Sequence, residues 1–240
     1  MSFLRRGGGG AGARVYPRRL PRGGVEEIGE ARVSFREDGV VEACDPHGCS
    51  RVRAPGDLGE VLLEPVAPFN RPTRLSGCVF VEFEEPFVYP GRGVRRLWAL
   101  APYEVAVAAG GTVVAYVSPL RVKYTLVGDV VGGSVCRHHR GPVAEELGVL
   151  ERAPGLAYVA VDVVGEPALL PGVGFYAVGL PLYTDAEGRL YYPRMEAAVR
   201  GSLVEVKAGQ EAPVEGLGLA QRGRRLALLA PVFSAPLPRP

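Results

Sequence analysis

The sequence predicts an all-β protein: two packed β-sandwich-like units with at most one short helix. Three observations carry this expectation. Glycine (33) and proline (22) make up nearly a quarter of the 240 residues without a collagen period, which favours many turns over long helices. Short β-branched runs alternate with turn residues at roughly 8–12 residue spacing, the pattern of a sandwich. Only residues 142–150, with Pro142 in the first turn and Glu145-Glu146 near the start, read as a helix.

Taken in order, residues 1–24 form a basic Gly/Arg-rich arm, expected to be disordered. Arg5, Arg6, Arg14, Arg18, Arg19 and Arg22 stand among glycines with no acid before Glu26. Strands follow at 31–35, 40–44, 49–53 and 59–66, broken by Glu37-Asp38-Gly39 and Asp45-Pro46-His47-Gly48. A proline-spaced connection, 65–72, leads to a strand at 78–83. Residues 103–118 read as a hairpin, because Gly110-Gly111 supplies the positive φ of a two-residue turn. Folded there, Val105 and Val107 lie opposite Tyr116 and Val114. Strands at 121–127 and 134–137 and the helix complete a β-rich domain over 25–150. The segment Glu151-Arg152-Ala153-Pro154-Gly155 is the expected boundary. A second sandwich-like unit over 155–232 then carries strands at 157–164, 173–178, 189–192, 202–207 and 226–230. A Pro-rich tail closes the chain at 233–240.

The bulk numbers exclude more than they assign. A net charge of +2 spread along the chain predicts no polyanion partner. The apolar runs 97–120 and 157–182 match a bilayer in length, but Glu104, Pro102 and Gly110-Gly111 interrupt the first, and Gly165, Pro167, Pro171 and Gly174 the second. Neither is expected to span a membrane. The arginine-rich start has no apolar core behind it, so a cytoplasmic protein is expected. One Asn, two Gln and abundant loop proline suit a thermophile.

One region carries a resemblance. It contains Glu64-Pro65-Val66-x-Pro68, then Phe80-Val81-Glu82-Phe83-Glu84-Glu85-Pro86, then Pro102-Tyr103-Glu104-Val105. It closes with Lys123-Tyr124-Thr125-Leu126-Val127-Gly128 and Gly133-Ser134-Val135-Cys136-Arg137. This resembles an archaeal family catalogued as domain of unknown function 432. The resemblance implies an archaeal origin and a β-rich fold, and it supplies no activity. Val127 and His138 stand where that family tends to carry aromatics.

Candidate site chemistry is confined to a few residues. Six of the seven Cys and His residues fall in Cys44-Asp45-Pro46-His47-Gly48-Cys49 and Cys136-Arg137-His138-His139. Three readings compete. Free thiols are the default, with Cys78 and Cys136 as buried apolar side chains. A Cys44–Cys49 disulfide across a hairpin mouth is the chief rival. The third is a zinc site drawing on Cys44, His47, Cys49, Cys136 and His138, although the spacing matches no standard zinc finger or ribbon. No cofactor is expected on the default reading. Lys123 and Lys207 are the only lysines, every other cation being Arg. A lysine beside Tyr124 therefore suits a specific task such as holding an anion, against the plainer role of protecting an edge strand. Lys123, Tyr124 and Arg137 are the candidate binding residues.

No catalytic motif is present. The expected function is a binding or structural module with an unidentified protein partner. The alternatives are a zinc enzyme or zinc-stabilised protein, and an accessory nucleic-acid-binding protein using the arm. Because the arm lacks interleaved aromatics, a nucleic acid partner is not expected.

Overall fold

The computed structural model describes residues 16–68, 77–128, 133–151 and 153–220, and the backbone of 233–236. Its strands begin with β1 (Arg18–Pro21), β2 (Val25–Ile28), β3 (Ala31–Phe35), β4 (Val40–Asp45), β5 (Gly48–Arg53) and β6 (Glu60–Val66). Then come β7 (Cys78–Tyr89), β8 (Arg95–Pro102), β9 (Glu104–Ala109), β10 (Thr112–Val117), β11 (Lys123–Val127) and β12 (Ser134–Gly141). A 3-10 turn at Leu147–Val149 precedes β13 (Leu156–Gly165), β14 (Ala168–Tyr176), β15 (Tyr183–Thr184) and β16 (Leu190–Tyr191). Last are β17 (Met195–Arg200), β18 (Leu203–Ala208), β19 (Gly218–Leu219) and β20 (Phe233–Pro236).

They form four sheets. Two are β1-β6-β9-β10 and β2-β3-β4-β5; a third is β11-β12-β7-β14. The largest runs β19-β15-β16-β13-β17-β18-β20, with β8 added on β13. The protein is all-β, and its single helical element among the described residues is that one 3-10 turn.

The core explains the apolar runs. Leu97, Ala99 and Ala101 of β8 join the main buried cluster, while Trp98 and Leu100 join a smaller one. On β13, Val159, Val161 and Val163 face the main cluster, and Tyr158 and Ala160 the other. Strands covered on both faces read as continuous hydrophobic sequence rather than alternation. The two membrane-length stretches are thus β8–β10 and β13–β14, and no described helix is long and apolar enough to cross a membrane.

Two sheets cross the connection at 151–155. β8 pairs antiparallel with β13 from Arg95↔Val163 to Pro102↔Leu156, and β7 pairs with β14. At Asp162, directly opposite Arg96, the Arg96 Nε and Nη2 donate to the two carboxylate oxygens at 2.7 and 3.0 Å. Arg194 Nε adds a third bond at 2.6 Å. Burial pushes the Asp162 carboxyl up, but bonds from Arg96 and Arg194 outweigh it and hold the group below the usual carboxylate range. A folded value below the unfolded one stabilises the protein fully above the ordinary carboxylate range, and that stabilisation drains as pH falls through the folded value. Asp162→Asn should therefore lower the melting temperature at pH 7 and narrow its gap to wild type toward pH 2. An unchanged gap across the scan would refute this account.

Several expectations need correction. The arm does not extend to Gly24: β1 pairs with β6 from Arg18↔Leu63 to Pro21↔Glu60. Arg18 pairs with Glu26, Arg19 with Glu60, and Arg22 bonds Asp57 and the Leu58 carbonyl. These three arginines are structural; residues 1–15 lie outside the described residues. No α-helix forms at 142–150, because Ala144 exchanges both backbone bonds with Trp98 and is drawn against β8. The tail is not wholly outside the fold, since β20 pairs with β18. The strand expected at 226–230 lies outside the described residues. In the β9–β10 hairpin the Gly110-Gly111 turn holds, with φ of 58° and 81°. However, the register slips between Val113 and Ala115, so Val107 pairs with Ala115 and Val105 with Val117. A bulge inserts one residue and turns the rest of the strand over.

Candidate functional site

All four cysteines are bridged. Cys44 and Cys49 are directly opposed on β4 and β5 and joined, with Cα atoms 4.0 Å apart. Cys78 and Cys136, expected as separate buried thiols, are also joined, between parallel β7 and β12, with a Cα separation of 4.7 Å. Both are fully buried. A bridged sulfur has no thiolate to offer a metal. Among the described residues, no group of three or more His, Cys, Asp or Glu is placed to hold one.

The Cys44–Cys49 hairpin ends in Pro46-His47 and acts as a clamp. Asp45 Oδ1 accepts the His47 backbone N–H at 2.8 Å, and its Oδ2 accepts the Ser118 N–H at 3.0 Å. His47 Nε2 accepts the Val122 N–H at 3.1 Å, which places the ring proton on Nδ1. The Pro119 carbonyl accepts the Glu30 N–H at 2.7 Å. Three backbone groups thus fix residues 118–122, the link between β10 and β11.

That link is the wall between two clefts. The first, about 400 Å³, is lined by Arg121, Lys123, Arg137, His138, His139 and Arg140, with Glu30 as its one acid. Its chemistry follows from the register: Lys123 lies opposite His138 and Tyr124 opposite Arg137, so β11 and β12 gather their cations at one end of the sheet. Glu82 receives His138 Nε2 at 2.8 Å and lies 3.7 Å from Arg140 Nε. Among the described residues, no acid pairs with Lys123 or Arg121. His139 is held below the ordinary histidine value, first by burial and then by His138 and Lys123, with Glu84 opposing.

The second cleft, about 510 Å³, mixes apolar and polar side chains. Val113, Val114 and Tyr116 of β10, Val122 and Tyr124 line it together with Asp45, His47, Ser50 and Glu104. Ser118, Val122 and Arg137 line both clefts. Arg137 is 3% exposed. One terminal nitrogen donates to Ser118 Oγ at 3.3 Å, and the other donates to Glu104, itself buried. Its Nε–H has no partner among the described residues.

The structure therefore gathers Lys123, Tyr124 and Arg137 around one pair of clefts, with His138 in the same lining and His47 at the rim. Cys44, Cys49 and Cys136 contribute only through their bridges. Arg121, His139, Arg140, Glu104, Ser118 and Asp45 were not singled out as site residues. Glu104 gave a signal, as the lone acid in an apolar run; Arg121 lies two residues from Lys123.

Fold and cleft together define an all-β, twice-bridged protein with a preformed basic cleft. The model of the family described as protein of unknown function (DUF432) matches residues 17–228, and the chain belongs to that family. No curated protein and no solved structure matches it.

Proposed function

We propose that this protein is a binding module whose basic cleft takes a small anionic ligand. The observation that carries the reading is the lining itself, in which Arg121, Lys123, Arg137, His138, His139 and Arg140 stand around one cleft with a single acid, Glu30. Lys123 and Arg121 add charge that no acid among the described residues neutralises, and the clamped 118–122 link removes much of the ordering cost of binding. A volume of about 400 Å³ suits a small molecule.

We further propose a cytoplasmic protein from a thermophilic archaeon. Its single Asn and abundant proline support the thermophile, and the two disulfides are compatible with a cytoplasmic setting there, because intracellular bridges occur in hyperthermophiles.

Titration calorimetry with inorganic phosphate at low salt is the test. Wild type should bind, and Lys123→Ala should weaken binding about tenfold, the size of one charge-assisted hydrogen bond. Lys123 is exposed, so its loss leaves the fold intact. Absence of phosphate and sulfate binding to wild type would remove the proposal.

A further inference from the structure

We infer that the Cys44–Cys49 bridge is a redox site: thiol–disulfide exchange opens it, frees the 118–122 link and weakens binding in the clefts that the link divides. The effect on binding rests on the anion-binding reading; the opening of the bridge and the release of the link do not.

Access singles out this bridge. β5 is the outermost strand of its sheet, paired with β4 alone, and every residue in it except Val52 is exposed. Cys49 therefore meets solvent, whereas Cys78 and Cys136 are fully buried. With so little of β5 packed, the covalent bond is a principal tie at the turn end of the hairpin. Register adds a chemical reason. Glu27, Arg32, Cys44 and Cys49 are successive cross-strand partners in one row of the sheet. Directly opposed residues have Cβ atoms about 4.5–5.5 Å apart. Arg32 thus stands beside the sulfur that leaves when a thiolate attacks Cys49, with Glu27 on its far side. A neighbouring guanidinium favours a thiolate and makes it the better leaving group.

Position links the bridge to the clefts. Asp45, next to Cys44, accepts the Ser118 N–H, and His47, at the turn that the bridge closes, accepts the Val122 N–H. Both bonds hold the link from the hairpin end. A dithiol reductant supplies the electrons to open it. One of its thiolates attacks the Cys49 sulfur to form a mixed disulfide, and the Cys44 sulfur leaves as a thiolate and takes up a proton. The second thiolate of the reductant then displaces Cys49, which is protonated in turn, and the reductant closes to a cyclic disulfide. Two electrons and two protons have passed to the cysteines. The hairpin end is then held by its strand ladder alone, so Asp45 and His47 fix the link less firmly. A ligand must order the link as it binds, which lowers its affinity.

The experiment treats the full chain with dithiothreitol at a concentration where alkylation labels Cys44 and Cys49 but neither Cys78 nor Cys136. Amide hydrogen exchange at Ser118 and Val122, followed by NMR, should quicken about fivefold or more, the size of one lost hydrogen bond. The Trp98 amide, bonded to Ala144 in another sheet, should not change. Inorganic phosphate should bind about threefold more weakly by titration calorimetry, and reoxidation should restore both readings. Cys44→Ser combined with Cys49→Ser should match the reduced protein and no longer respond to reductant. If that variant does not fold, the reduced wild type carries the comparison. Unchanged exchange at Ser118 and Val122 with the bridge open overturns the inference, as does a rise shared equally by Trp98. Faster exchange with unchanged phosphate affinity overturns the control of binding. Phosphate binding to neither form removes the anion reading, and the exchange rates still decide whether the bridge holds the link.

Discussion

Replacing Cys78 and Cys136 together with alanine is expected to cost about 4 kcal/mol of unfolding free energy, against about 2 kcal/mol for the Cys44 and Cys49 pair. Sequence separation drives the difference. The first bridge joins positions 58 apart, the second positions 5 apart, and the unfolded chain loses more freedom when the longer loop is closed. Strand geometry adds to it, because β7 and β12 are parallel and no short turn holds them together. Denaturant midpoints of the two double variants under oxidising conditions measure this. Equal losses would mean that loop length does not set the contribution. The bridges should also differ in access. Cys49 is exposed, whereas Cys78 and Cys136 are fully buried. Mild thiol reductant on the native protein should open Cys44–Cys49 first, and labelling of Cys78 should wait for unfolding.

Glu104→Gln should be comparably damaging, at about 3–5 kcal/mol, although it removes only a charge. The Arg137 and Glu104 side chains are 4% and 8% exposed, so the variant leaves a guanidinium in the interior facing a neutral amide. The cost is that of the stranded cation and does not measure what the pair contributes over an apolar core. Adding Arg137→Met to Glu104→Gln should then recover much of the loss. Thermal and denaturant unfolding of the single and double variants decide it. A single variant within about 1 kcal/mol of wild type would show the pair to be solvated.

How far the sequence revealed this structure depends on how local each feature is. The Asp45–Gly48 turn and the Gly110-Gly111 turn were legible because the residues that make them are adjacent. So was the Cys44–Cys49 option, since a hairpin sets its own partners across the turn. Cys78–Cys136 was not, because it depends on a parallel register between strands far apart in sequence, and nothing near either cysteine encodes that register. β8 was hidden within an apolar run, since burial on both faces removes the alternation that marks a strand. The bulge at Val113–Ala115 carries no glycine or proline to announce it. For the site, Lys123 stood out because lysine is rare here, and Arg137 because it belonged to the resembling segment. Their common cleft could not be read, because it depends on where β4–β5 presses on the 118–122 link.

The pairing of β8 with β13 also bears on how the chain emerges from the ribosome. β8 is complete at Pro102, but its antiparallel partner begins only at Leu156. Until then the growing chain carries Leu97-Trp98-Ala99-Leu100 with one strand edge unsatisfied, a template for pairing with another chain. Arg95 and Arg96 at its start, and Pro102 at its end, are the kinds of residue that discourage such pairing. The same strand that the finished protein buries on both faces is, during synthesis, an apolar segment still waiting for its partner.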